Sequence, residues 1–262
     1  VTLPTIAELV ARGALFVINH SGGKDSQAMD IAMRFIPRDQ LVVVHADLGR
    51  VEWSGAMAHI EATTNANRVI KCEPVRGFLQ MVEDRGMFPS PDVRQCTSDL
   101  KRGPIEKVIR HLTYERKKAG HPAWNLVVNC MGLRADESRN RAKLRPFALN
   151  KKNSKAGREW YDWLPIHDWD EGRVFATIKM AGQSPHRVYL LGMKRFSCVF
   201  CIYADDASLT LAAKLSTKYP ELVNDPTIYK TMVGLERSTG QVMMMPKNGV
   251  KRSLVDITGV QP

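Results

Sequence analysis

The chain has no apolar run approaching the roughly 20 residues needed to span a bilayer, so no transmembrane helix and no membrane partner are expected. Its first residues lack the basic start, apolar middle and small-residue cleavage site of a secretory leader. Cysteine is sparse and odd in number, five in 262 residues, without the spacing of a small disulfide scaffold. Together these absences point to a reducing cytoplasm. There is no internal repeat and no low-complexity segment, which excludes a stacked-repeat array and a disordered tether. Acidic residues are also short, 27 against 38 Lys and Arg, for a net charge of +11. The shortage is local: from Arg139 to Arg158 there is no Asp or Glu at all, while Arg139, Arg141, Lys143, Arg145, Lys151, Lys152, Lys155 and Arg158 are all basic. Such a block reads either as a solvated loop or as a contact surface for a polyanion such as nucleic acid.

What is present is an ordinary soluble composition, 44% hydrophobic and 25% charged, long enough to bury a large core. Its centre is Ser21-Gly22-Gly23-Lys24-Asp25-Ser26. Ahead of it runs the apolar stretch Ala14 to Asn19, of strand length; behind it Ala28, Met29, Ile31, Ala32 and Phe35 recur at helical spacing until Pro37. The six residues therefore form a strand-to-helix turn. Two glycines let the backbone approach a ligand, and the helix start offers unpaired N–H groups and a positive dipole end. Lys24 and the hydroxyls of Ser21 and Ser26 add donors. The result is an anion cradle, most simply for phosphates, and it is not the Walker loop, whose glycine spacing differs.

The order of elements argues for a parallel sheet. Leu41 to Ala46 is a second buried strand that runs into Asp47-Leu48-Gly49. Helical spacing follows from Glu52 to about Thr64, then a strand over Arg68 to Cys72, a helix over Gly77 to Asp84 and another after Pro104. Asn125 to Met131 is a fourth strand leading into Gly132-Leu133-Arg134, and Tyr161 to Pro165 a short fifth. The expected fold is α/β, a parallel five-stranded sheet with helices on both faces, with a small, mainly helical C-terminal region. The expected units are 1–184 and 185–262, the stretch 241–262 being hard to place. Ligands in such sheets collect beyond the carboxyl ends of the strands.

Ser21 to Ser26, Cys96-Thr97-Ser98-Asp99-Leu100-Lys101-Arg102-Gly103-Pro104, Gly132 to Arg139, Pro165-Ile166-His167-Asp168-Trp169 and the Cys198–Cys201 pair occur in an order that resembles the PP-loop ATP pyrophosphatases. Within these they resemble the phosphoadenosine-phosphosulfate (PAPS) reductase-like branch, over roughly residues 14 to 205. The resemblance implies an adenine nucleotide alpha-hydrolase-like fold and ATP held by Ser21, Gly22, Gly23, Lys24, Asp25, Ser26, Asp47, Gly132 and Arg134. Catalytic roles would fall to Lys24, Ser21, Ser26 and Arg134. Lys101, Arg102, Arg139, Arg141 and Lys143 would contact phosphate or substrate. Asp25 would stabilise the loop or hold Mg²⁺. Cys198-x-x-Cys201 suits a metal, a cluster or a redox pair, and Cys96 is the natural third partner for a [4Fe–4S] cluster, with zinc or a simple dithiol as the alternatives. Cys72 and Cys130, in strands, read as buried small apolar residues, His45 as a satisfied core histidine, and Trp163 and Trp169 as packing residues.

Sulfonucleotide reductases attack sulfur with a late cysteine, and none follows Cys201; their cluster-bearing forms use an adjacent Cys pair, whereas Thr97 follows Cys96. The resemblance is therefore greatest to the DNA phosphorothioation proteins of the DndC/SspD type. It implies an enzyme that adenylylates a nucleic-acid phosphate oxygen, DNA being favoured, for sulfur insertion. A cysteine desulfurase would donate the sulfur within a larger modification complex. The alternatives are a sulfonucleotide reductase, a tRNA-thiolating enzyme and a non-catalytic nucleotide-binding subunit.

Overall fold

A computed structural model of the chain describes residues 3–262. Six strands form one sheet: β1 (Leu15–Asn19), β2 (Leu41–Ala46), β3 (Val69–Cys72), β4 (Leu126–Met131), β5 (Phe147–Leu149) and β6 (Glu159–Trp163), in the order β3-β2-β1-β4-β6-β5. β1 pairs in parallel with β2 on one side and β4 on the other, and β4 pairs in parallel with β6. The central strands are continuous apolar runs because they are covered on both faces; Phe16, Val17, Ile18, Val43, Val44, Val127 and Val128 have no exposed surface. The order reverses at β1, which makes the gap between β1 and β4 a topological switch point. Asn19 lies beside Met131 in that register, so the turns after these two strands emerge side by side.

The sheet departs from the expected five parallel strands by one edge strand. β5 runs antiparallel to β6, pairing Phe147 with Trp163 and Leu149 with Tyr161. Its three residues sit inside the basic block, too few to show an alternating pattern against the flanking charges. They are held because the Phe147 ring stacks on Tyr161, centroids 5.2 Å apart and planes 17° apart. The block is thus not a loop throughout: a short helix, Arg139–Ala142, precedes the strand.

A polar ladder crosses the sheet. Asn19 Nδ2 donates to Asn129 Oδ1 (2.7 Å), Asn129 Nδ2 to Asp162 Oδ1 (2.8 Å), and Asn150 Nδ2 to Asp162 Oδ2 (2.8 Å). Each link is charge-assisted or satisfies a neighbouring amide, so half-buried polar groups are accommodated among apolar strands.

The residues divide into two compact units interleaved in sequence, not split simply near residue 184. One holds the chain up to His45, Met57–Cys72 and Ile105–His186; the other holds Ala46–Ala56, Glu73–Pro104 and Arg187–Pro262. The first contains the sheet and a core that includes Leu9, Met29, Met33, Ile60, Ile166 and Val174. The second has its own core, with Trp53, Met81, Leu100, Phe200, Leu209 and Met232. The stretch 241–262 belongs to this second core. Glu236 accepts the Met243 and Leu254 N–H groups, 2.8 Å each, and Asp206 pairs with Lys247 and Arg252. Tyr229 Oη bonds to Thr258 Oγ1 and the Val260 carbonyl. Long-range polar anchors of this kind leave no local pattern in the sequence.

One acid in the first unit is strained by its surroundings. Asp30 is 2% exposed on the helix Lys24–Ala32, and burial pushes its carboxyl up to about 6 against the pull of Thr64, Arg34 and the Asn65 backbone. The folded protein then binds this proton more tightly than the unfolded chain, so stability falls as pH rises from about 3.8 to about 6. Asp30→Asn should therefore stabilise the protein at pH 7.5, by up to about 3 kcal/mol, and leave it unchanged below pH 4. Urea unfolding of both proteins at the two pH values measures the difference.

Candidate functional site

The turn after β1 is built by its own side chains. Gly22 adopts φ +80°, a conformation that side chains resist. Its N–H donates to His20 Nδ1 at 3.0 Å, which fixes the neutral ring with its proton on Nε2. Ser26 Oγ donates to the Gly23 carbonyl (2.9 Å), lies 3.2 Å from Ser21 Oγ and accepts the Ser21 N–H. Gly23 is the N-cap of the helix Lys24–Ala32, so the first-turn N–H groups point out of the helix end. Ser21 is exposed at the mouth, whereas Lys24 is only 3% exposed.

Opposite stands the turn after β4. Gly132 faces the first turn of that helix so closely that an added Cβ would lie 3.1 Å from the carbonyl carbon and oxygen of Asp25. A side chain there must push the backbone, not a flexible tip. Gly132→Ala is expected to cost about 1–3 kcal/mol and to weaken nucleotide binding at the same time. Thermal unfolding with and without ATP separates the two effects.

Arg134 joins the turns. It is 3% exposed; its Nε donates to Asp25 Oδ1 (2.7 Å), and its Nη1 to Asp136 Oδ2 (2.9 Å) and the Trp169 carbonyl (3.1 Å). Burial works against this charge, but Asp25, Asp136 and Glu137 outweigh it and hold the guanidinium above its ordinary range. Asp25 takes Lys24 Nζ on its other oxygen, at 2.9 Å. Both oxygens of Asp25 are thus engaged by cations, contacts that stabilise the loop. A second acid, Glu171, reaches Lys24 Nζ at 3.3 Å from the start of the helix Glu171–Met180, and Phe175 lies beneath, its centroid 5.9 Å from Nζ. Two cations, each paired with carboxylates, and a helix N-terminus therefore lie together at the switch point.

The expected residues fall into groups. Ser21, Gly22, Gly23, Lys24, Asp25, Ser26, Gly132 and Arg134 are brought together in the first unit. Arg141 pairs with Glu137, and its carbonyl accepts from His167 Nε2, so the start of the basic block is tied down next to Arg134. Arg139, Lys143, Arg145, Lys151, Lys152 and Lys155 are exposed. Asp47 belongs to the second unit, where its carboxylate accepts the Gly49 N–H at 2.7 Å. Lys101 and Arg102 are also in that unit, at the end of a π-helical turn, Ser98–Arg102, that leads into the helix Gly103–Lys118.

Cys96, Cys198 and Cys201 are free thiols in the second unit, and all three bear on Lys101. Burial works against the Lys101 ammonium, but the thiols and Glu52 hold it above its ordinary range. Burial pushes the Cys198 thiol up to about 12 against the pull of Lys101. Among the described residues no three His, Cys, Asp or Glu side chains form a group able to hold a metal ion. The expected [4Fe–4S] site is thus without support among the described residues. Cys72 and Cys130 are buried, and His45 is a buried histidine whose Nδ1 meets the His20 carbonyl at 2.9 Å. Trp169 is buried under Arg173, and Trp163 packs edge-on against Phe16.

Three participants had little or no sequence signal. His20 follows the strand as one more polar residue. Glu171 has the ordinary look of a first-turn helix acid, and Phe175 that of a core position, although it is 37% exposed.

Residues 16–204 match the phosphoadenosine phosphosulfate reductase domain, well over half of the chain. The chain belongs to that family. One curated relative within reach of this reductase-domain chain is an uncharacterized 37.8 kDa protein in the gpa 5′ region of Escherichia phage 186, 27% identical over 192 residues. The match takes in 72% of this chain and 54% of the phage protein, so the chain spans about half the length of that relative. Among solved structures it is similar to phosphoadenylyl-sulfate reductase from Candida auris, at 14% identity and TM-score 0.44 over 70% of this chain and 80% of that one. It is also similar to FMN adenylyltransferase from Candida glabrata, at 12% identity and TM-score 0.41 over 71% and 54% of the two chains. No helix among the described residues is long and apolar enough to cross a membrane.

Proposed function

We propose that this reductase-domain chain is an ATP pyrophosphatase that adenylylates a phosphate oxygen of nucleic acid, DNA by preference, to prepare it for sulfur insertion. The observation that carries the reading is the cradle at the β1/β4 switch point, where Gly22, Gly23, Lys24 and Arg134 surround one helix start. The β- and γ-phosphates of ATP would lie against the helix N–H groups, with the Ser21 hydroxyl at the mouth, Ser26 behind it and Lys24 as the nearby charge. A nucleic-acid phosphate oxygen attacks the α-phosphorus as the bond to the β-phosphate oxygen breaks, and pyrophosphate leaves. That oxygen is already anionic, so no strong general base is required. A persulfide from a cysteine desulfurase, reduced by two thiols that leave as a disulfide, would supply the sulfide that then displaces AMP, which carries the original oxygen away. Mg²⁺ would supply further charge neutralisation on the triphosphate when bound. The exposed basic residues from Arg139 to Lys155 support a polyanionic acceptor, since each phosphate neutralised releases counterions.

Pyrophosphate release from labelled ATP, measured with and without DNA, tests the reading; no release under either condition refutes it. Thioredoxin-dependent sulfite release from a sulfonucleotide would instead assign a reductase, the reading that the name of the family favours.

A further inference from the structure

Lys24 stands between two carboxylates that are not equivalent. Asp25 is its chain neighbour, 2.9 Å away, and its second oxygen is fixed by Arg134 at 2.7 Å. Glu171 comes from another helix, at 3.3 Å, and its side chain is 56% exposed while that of Lys24 is 4% exposed. An ammonium has three protons to give. A phosphate oxygen arriving at Lys24 must therefore displace a partner or share the ammonium with it, and Asp25 cannot leave without breaking its pair with Arg134. Glu171 can swing into water at smaller cost, because its own side chain is largely exposed and Lys24 keeps Asp25 as a partner.

The geometry points to Glu171 as a specificity-determining residue: its carboxylate holds the phosphate position on Lys24 and yields only to a more highly charged anion. This rests on the reading of the loop as a triphosphate site. While Glu171 is seated, Lys24 is neutralised and a weakly charged anion gains little by replacing it. A triphosphate tail, with several oxygens reaching the helix N–H groups as well as Lys24, gains more than the carboxylate loses. The wall that carries Glu171 is fixed in the first unit, since the Trp169 carbonyl two residues ahead accepts from Arg134 and Asp170 caps the helix through the Arg173 N–H.

Calorimetric titration of the full chain with ATP and with inorganic phosphate tests this. Glu171→Gln removes the charge and keeps the shape, so ATP should bind about two- to fivefold tighter. Inorganic phosphate should gain by a larger factor, which narrows the discrimination between the two; an equal or smaller gain overturns the inference. In a Lys24→Ala background the Glu171→Gln gain should vanish. A merely structural role for Glu171 predicts weaker binding and a lower melting temperature. Unchanged or weaker ATP binding in Glu171→Gln, or a gain that persists without Lys24, overturns the inference while leaving the loop assignment in place. If Lys24→Ala alone binds ATP as the native chain does, or if the native chain binds none, the loop assignment falls and the inference with it.

Discussion

Lys24→Ala should lower pyrophosphate release by about 10²–10³-fold, the usual loss when one preorganised donor to a developing anion is removed. The melting temperature should hardly move. Lys24 is buried, but the group it would leave behind, Asp25, keeps its 2.7 Å ion pair with Arg134, so no uncompensated charge is stranded. The substitution also touches none of the bonds made by Ser26, His20 and Gly22. Lys24→Arg should not restore the rate. The ammonium lies in a narrow place, between Asp25, Glu171 and the Phe175 ring, and a planar fork cannot take the same position. Single-turnover pyrophosphate release with differential scanning of each variant gives both readouts. A Lys24→Ala protein that cleaves ATP at the native rate would remove the loop from the chemistry.

Acid should undo the protein through His20. Complete burial, with His59 and His45 nearby, brings this ring from 6.5 down to about 3. The folded state therefore holds it neutral while the unfolded chain takes up a proton. Its contribution to stability is whole above about pH 6.5 and drains away as pH falls towards 3, a loss of up to about 5 kcal/mol. The protonated ring could no longer accept the Gly22 N–H, so nucleotide binding should be lost along with stability. His20→Asn, whose amide oxygen can still accept that N–H, should flatten the acid limb of a urea-unfolding series. Asp30 acts in the opposite direction over part of this window, which makes Asp30→Asn the proper background for the comparison. An acid limb of the same slope with and without His20 would contradict the assignment.

The parts of the molecule that were legible in the sequence are those where one local rule operates. β1, β2 and β4 are plain because burial on both faces leaves unbroken apolar runs. The Gly22-Gly23 turn is plain because the period of apolar residues changes from strand to helix across it. β5 was hidden because three residues between charged neighbours carry no period, and it is the pairing with β6 and the stack on Tyr161 that settle them. The site was half legible. Arg134 could be placed at a strand end, but its partner Asp25 is 109 residues away and no spacing links them. The reach of Glu171 to Lys24 likewise depends on how two helices pack. For the cysteines, Cys96, Cys198 and Cys201 fall in one unit with Lys101, whose electrostatic link to them no spacing in the sequence shows.

The ladder from Asn19 through Asn129 and Asp162 to Asn150 has a consequence for how the two turns keep their places. Side chains point alternately up and down along a strand, so sliding β4 past β1 by one residue would turn Asn129 to the opposite face and sever both of its links. The strands that lead into the two turns are in effect bolted together across three strands. Amide deuteration in β1 and β4 should consequently be governed by global unfolding, while β5 and the basic segment beside it exchange through far smaller openings.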